Sequence, residues 1–261
     1  MDIFQVIIII FVVFFGLSVG SFLNVVVLRF DDVESIIKTR SHCPKCKKNL
    51  PWYDLVPFFS YIILAGRCRH CKKIISFQYP LVEAATALIF AAIYWQYGIT
   101  VGAFFLAIIS SILIAIAAYD AIHSEIPDIL VYSAAVFVLG FIFYNLWQNF
   151  QLANSSTWLS YAYGLAVGLG FFGFLVLASR EKWMGWGDVL LGGVVGLLLG
   201  YPNILVGLFL AFMFGSIFSL VLMALKIKKM KDAIPFGPFL VLGGMIALFA
   251  GKWIIGWYLG I

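Results

Sequence analysis

Six residues of this sequence have the types and spacing of reactive or metal-holding groups. Cys43-Pro44-Lys45-Cys46 and Cys68-Arg69-His70-Cys71 form two C-x-x-C knuckles with 21 residues between them. Each such turn points two thiolates at one ion, so the four sulfurs together specify a closed, tetrahedral structural zinc site. Disulfides, a redox-active C-x-x-C pair and another thiolate-bound metal compete for the same residues. His42 and His70 flank the knuckles and are expected to be solvated, because four thiolates already fill the site. The other two residues are Asp120, in Tyr119-Asp120-Ala121, and Asp188, in Gly185-Trp186-Gly187-Asp188, both at the ends of apolar stretches.

Acidic side chains at membrane depth are costly and mark function by default. If Asp120 and Asp188 meet, like charges at close range keep both from ionising together, so that one serves as acid and the other as base toward water. A pair of helix caps or interface-facing charges is the plain alternative. Asp128 follows Pro127 and reads as a carboxylate at a helix start. Glu83 lies just inside another apolar stretch, in Tyr79-Pro80-Leu81-Val82-Glu83.

The elements that position these groups follow from composition. Of the 261 residues, 64% are hydrophobic and 11% charged, against roughly 45–50% and about 25% in an average globular chain. A water-soluble fold is excluded, and so are disorder and a nucleic-acid partner; membrane lipid is the solvent. Apolar runs of spanning length fall near residues 4–28, 80–97, 101–119, 129–147, 158–179, 189–200, 203–225 and 236–258, the sixth cut short by Gly200-Tyr201-Pro202. The expected fold is an all-α polytopic membrane protein of about eight transmembrane helices, with a small zinc-stapled cytoplasmic loop domain between the first two. Placing the amino terminus outside puts sixteen of the seventeen Lys and Arg residues in cytoplasmic loops, as the positive-inside rule requires. Lys252, the remaining one, sits near the outer end of the last span, where a long side chain snorkels. This topology puts Asp120 and Asp188 at one depth, the cytoplasmic edge, and puts the cysteines in a reducing compartment. The aromatic stretch Pro51–Ile62 between the knuckles is too short to span and is expected on or in the membrane interface. Gly16 with Gly20, Gly164 with Gly168, and Gly192 with Gly196 and Gly200 have the small-xxx-small spacing of helix-packing faces. No internal repeat is visible.

Several of these segments occur together in one known family. G-x-G-D at Gly185–Asp188, Asp120 with Pro127-Asp128, the paired knuckles, Gly20-Ser21-Phe22-Leu23-Asn24-Val25-Val26, Tyr79–Glu83 and Ile234-Pro235-Phe236-Gly237-Pro238 resemble the bacterial type IV prepilin leader peptidases, which are G-x-G-D aspartic membrane peptidases. The likeness runs from about Gly20 to Pro238. It implies an inner-membrane enzyme that cleaves the basic leader of prepilins and pseudopilins after a glycine at the cytoplasmic face and then methylates the new amino terminus with S-adenosylmethionine. It also implies that Asp120 and Asp188 are the catalytic pair and that Cys43, Cys46, Cys68 and Cys71 hold zinc. The chain then divides into a first span (1–29), a zinc-binding loop that is the methyltransferase region (30–78), and a transmembrane peptidase domain (79–261).

Two positions depart from the family pattern: Ile122 stands where many members have a second acidic residue, and Leu190 where many have a lysine. Asp31, Asp32 and Glu34 are candidates for attracting a basic leader. Glu83, Asn24 and Asp54 are candidate polar partners for S-adenosylmethionine or the substrate amine, although no cofactor-binding residue is assigned. A peptidase without methyltransferase activity, and a non-enzymatic zinc-containing scaffold or transporter, are the alternatives; the substrate's identity and the oligomeric state are not legible.

Overall fold

The computed structural model describes residues 3–30, 32–148, 155–229 and 232–260. Asp31, Lys231 and most of the loop near residues 148–157 fall outside them. The helices are α1 (Ile3–Leu28), α2 (Val33–Lys38), a 3-10 turn (Trp52–Leu55), α3 (Phe59–Ile63), α4 (Gln78–Tyr97), α5 (Val101–His123), α6 (Asp128–Gln148), α7 (Ser155–Ser179), α8 (Trp186–Leu199), α9 (Asn203–Ala224) and α10 (Gly237–Leu259). No strand longer than an isolated bridge occurs among the described residues.

The eight expected spans correspond to α1 and α4 through α10. Six of them are long and apolar enough to cross a membrane. The other two are α4, which has Gln78, Glu83 and Gln96 along its length, and α8, which has only 14 residues. At 1.5 Å per residue α8 reaches about 21 Å, short of a hydrocarbon layer of about 30 Å. Gly200, at φ 66°, ends α8 in a left-handed conformation that favours glycine.

The described chain forms two compact units, Met1–Ala103 and Phe104–Ile261. In the first, α1 lies along α4, and small residues set the spacing. A Cβ at Gly16 would stand 2.7 Å from Ala87 Cα, and one at Gly20 2.6 Å from Glu83 Cα. In the second unit, α8 is enclosed by α6, α7, α9 and α10. Enclosure explains why a 14-residue helix suffices: its backbone is covered by protein rather than lipid. Two of the glycine stripes face each other here. A Cβ at Gly164 would stand 2.8 Å from Gly200 Cα, and one at Gly168 would collide with the Gly192 carbonyl. Without a hydrophobic drive between helices in lipid, such close backbone approach supplies the packing contact.

Candidate active site and metal centre

In the second unit, α5 runs past the expected end of its span, so Asp120 lies in its last turn rather than after it. It is buried. Its Oδ2 accepts a 2.9 Å hydrogen bond from the backbone N–H of Gly237, the first residue of α10. Asp188 is half-buried in the first turn of α8, where its Oδ2 accepts from the Gly185 N–H at 3.2 Å while its own N–H donates to the Gly185 carbonyl. That reciprocal pair fixes the entry of α8 and leaves the second carboxylate oxygen uncommitted. The two carboxyls stand near enough for the charge of Asp188 to act on Asp120. They are therefore brought together, with 67 residues between them in sequence.

The segment Ile126-Pro127 and the G-x-G-D turn explain the meeting. A Cβ at Gly187 would stand 2.9 Å from Ile126 Cβ, so the start of α8 is pressed against the connection that leaves α5. Gly185 has open space and an extended φ of −94°, so of the two glycines Gly187 makes the close approach. Phe236 is seated on Phe212 and Phe172, with ring centroids 4.8 and 5.8 Å away, and this aromatic stack fixes the turn that presents the Gly237 N–H. Asp128 opens α6, as expected. His123 is exposed and stacks on Tyr119, consistent with a solvated residue.

In the first unit, one ligand atom from each of Cys43, Cys46, Cys68 and Cys71 lies within 4.8 Å of the other three. The Cys43 and Cys71 sulfurs are 3.9 Å apart, close to the separation of about 3.8 Å that bonds of about 2.3 Å to a central ion would give. The group could therefore hold a metal ion. The knuckles match bond for bond: Cys43 N donates to Lys48 O and Cys68 N to Lys73 O, while Lys47 N returns to Cys43 O and Lys72 N to Cys68 O. Lys47 and Lys72 both turn through positive φ, and the bridges His42–Asn49 and Arg67–Ile74 close the two hairpins. A structural repeat thus exists where the sequence shows only the paired cysteines. The backbone N–H groups of Cys71 and His70 lower the Cys68 thiol to about 7, whereas Cys71 stands at about 11, its Lys73 N–H lowering it against burial and the three neighbouring sulfurs. A cation among four sulfurs so crowded would hold all of them as thiolates. His42 and His70 are exposed, outside the cluster.

The other polar candidates have local partners. Arg69 binds Asp54 through two nitrogens, Nε at 3.0 and 3.1 Å and Nη2 at 2.6 Å, and lies over the Tyr53 ring. Glu83 Oε2 accepts from the Phe58 N–H at 2.7 Å. Asp32 caps α2 through the Ser35 N–H, and Glu34 pairs with Lys38, so neither is an uncommitted charge. Asn24 donates to Gly20 and Tyr79 carbonyls, but its buried Oδ1 has no partner. Gly237 and Arg69 escaped the sequence reading as contributors. The Ile234–Pro238 motif was the one available signal for Gly237; for Arg69 there was none.

These features define a multi-pass helical membrane protein with one carboxylate pair and one thiolate cluster. Residues 14–97 match the family model described as the bacterial peptidase A24 N-terminal domain, and residues 107–220 match that of the type IV leader peptidase family. The prepilin leader peptidase/N-methyltransferase of Legionella pneumophila is 31% identical over 94% of this chain and 92% of its own length. The proteins of the same name from Pseudomonas aeruginosa and Bacillus subtilis are 30% and 29% identical over 94% of this chain, covering 91% and 95% of their own lengths. No solved structure matches the chain at a significant level. The chain belongs to the type IV leader peptidase family.

Proposed function

We propose that this protein is a membrane aspartic endopeptidase that removes the basic leader of prepilins and pseudopilins, and an N-methyltransferase that modifies the new amino terminus. The observation that carries the reading is the Asp120–Asp188 pair: two carboxyls of one unit, the charge of Asp188 felt at Asp120, the first pinned by the Gly237 N–H and the second half-open, in a chain aligned with named peptidases over 94% of its length. In this reading one carboxyl takes a proton from water as the other gives its proton toward the scissile carbonyl, and the roles reverse when the C–N bond breaks, the leader leaving as a carboxylate and the mature pilin's new amine taking up a proton. The excess of Lys and Arg in alternate loops supports a topology with the amino terminus outside and this chemistry at the cytoplasmic face of the inner membrane. The test is the amino-terminal mass of a prepilin incubated with the purified protein with and without S-adenosylmethionine. A shortened product that gains one methyl only in its presence supports both activities; a shortened, never-methylated product supports the peptidase alone, and an untouched prepilin overturns the reading.

S-adenosylmethionine would supply the activated methyl group. Its amino-acid end carries an ammonium and a carboxylate, and in the first unit the orphaned Asn24 Oδ1 and Gln78 Nε2 offer one acceptor and one donor of the kind these need. The methyltransferase role is assigned in this reading to residues 30–78, with Asn24 of the first span at their edge, bonded to the Tyr79 carbonyl, and the peptidase role to residues 79–261. Zinc is the metal assigned to Cys43, Cys46, Cys68 and Cys71, because four thiolates in a tetrahedral closed set suit it best. The purified protein is expected to carry one zinc per chain. Cys43→Ser, or a strong chelator, is expected to release it and to open the segment between Lys45 and Lys73 to trypsin, because so small a segment folds on its metal. Unchanged tryptic resistance after metal loss would remove zinc from the account of this fold.

A further inference from the structure

We infer that the segment between the knuckles, residues 51–66, is a re-entrant wedge seated in the hydrocarbon of the bilayer, and that Glu83 holds it there. The inference stands independently of the proposed activity. It replaces the interfacial position expected from sequence with a deeper one.

Depth comes first. The Phe59 ring stacks on Phe14 at 6.0 Å and 19°. Phe14 lies near the middle of α1, and at 1.5 Å per residue it is about 21 Å from Leu28, where that helix gives way to the loop. An element confined to the headgroup layer does not reach the middle of a spanning helix. Next to this contact, Phe15 meets Phe90 of α4, so the wedge enters alongside the α1–α4 pair.

Its surface suits lipid. Trp52, Ile62 and Ile63 are 79%, 59% and 77% exposed, a clustering that water would penalise. From Pro51 to Gly66 the one formally charged side chain is Asp54, buried and bound by Arg69 through two nitrogens. Both ends are basic and exposed, Lys47 and Lys48 before it and Lys72 and Lys73 after it, which complements anionic headgroups at the point of entry.

From Phe58 to Gly66 most of the backbone is paired within the protein, as hydrocarbon demands of irregular chain at that depth. The N–H groups of Phe59, Ser60, Ile62, Leu64, Ala65 and Gly66 all donate to carbonyls within the wedge. Phe58 is the break, at φ 63° after Pro57 and before the first turn of α3. Its N–H donates instead to Glu83, itself buried. A buried carboxylate on a spanning helix thereby acquires a structural role: it satisfies an amide at the break in the wedge that the wedge's own carbonyls do not.

The test uses the full-length, metal-loaded protein in vesicles of phosphatidylcholine and phosphatidylglycerol, with p-benzoylphenylalanine placed singly at Ile63, at Phe209 as an exposed helix position, and at Lys45. Adducts are located on lipid by mass spectrometry. Position 63 is expected to label acyl chains to an extent similar to position 209, and position 45 to give no acyl adducts. Adducts at 63 confined to headgroups, or absent while 209 is labelled, would overturn the wedge. Adding Glu83→Ala is expected to reduce acyl labelling at 63 severalfold, and Glu83→Gln, which keeps an acceptor, to restore it. Undiminished labelling with Glu83→Ala would overturn the holding role.

Discussion

Asp120→Asn and Asp188→Asn are each expected to slow prepilin cleavage by about 100- to 10,000-fold, the range that a positioned acid–base group supplies. Asparagine keeps the shape and the acceptor oxygen of aspartate, so the Gly237 N–H bond to position 120 and the Gly185 N–H bond to position 188 can both persist. What is lost is the ability to exchange a proton with water. The plain alternative, two helix-end charges without a catalytic role, predicts the opposite for Asp188, because asparagine serves a helix start about as well as aspartate. The two variants together should be little slower than either alone, since members of one proton-sharing unit are strongly non-additive. Single-turnover cleavage in detergent, with circular dichroism confirming an unchanged helix content, separates these outcomes. Near-wild-type cleavage by either single variant would remove that aspartate from the reaction.

The parts of this structure that were legible in the sequence are those written in local composition. Eight apolar runs became eight helices, because in lipid a helix satisfies every backbone group within itself. The paired C-x-x-C turns gathered four sulfurs, as their spacing requires. The Gly164 and Gly168 stripe met the Gly192, Gly196 and Gly200 stripe, because those positions lack the side chains that would hold two backbones apart. What stayed hidden depends on contacts between distant segments. The short α8 looked like a doubtful span, yet it is enclosed by four helices and has no need to reach across. Asp54 looked available for a ligand until Arg69 closed on it. The depth of residues 51–66 rests on one ring meeting Phe14, which no periodicity encodes. Asp120 and Asp188 were legible as candidates from their place at the ends of apolar runs, but not the amide that holds the first of them.

That amide supports the second large prediction, which concerns a residue without a side chain. In Gly237→Ala the new Cβ would stand 2.6 Å from Asp120 Oδ2 and 3.2 Å from its Cγ. The carboxyl must then swing away, and in doing so it gives up the 2.9 Å bond from the Gly237 N–H. The loop itself has little freedom to retreat, because Phe236 is fixed on Phe212 and Phe172 and Pro238 follows at the start of α10. A displacement of about 1 Å in a reacting group is enough to lower turnover about 100-fold. The expected signature is a fall in kcat with KM nearly unchanged, because the change disturbs a reacting carboxyl rather than a substrate-binding surface. Gly170→Ala is the control: a Cβ there has nothing within 4 Å, and its activity should match the wild type. If Gly237 acts through Asp120, adding Gly237→Ala to Asp120→Asn should cost nothing further in rate, since contacting residues that share one function do not add. A full additional loss in the double variant would mean that Gly237 shapes the site by another route, and wild-type turnover in the single variant would mean that Asp120 has room its surroundings do not suggest.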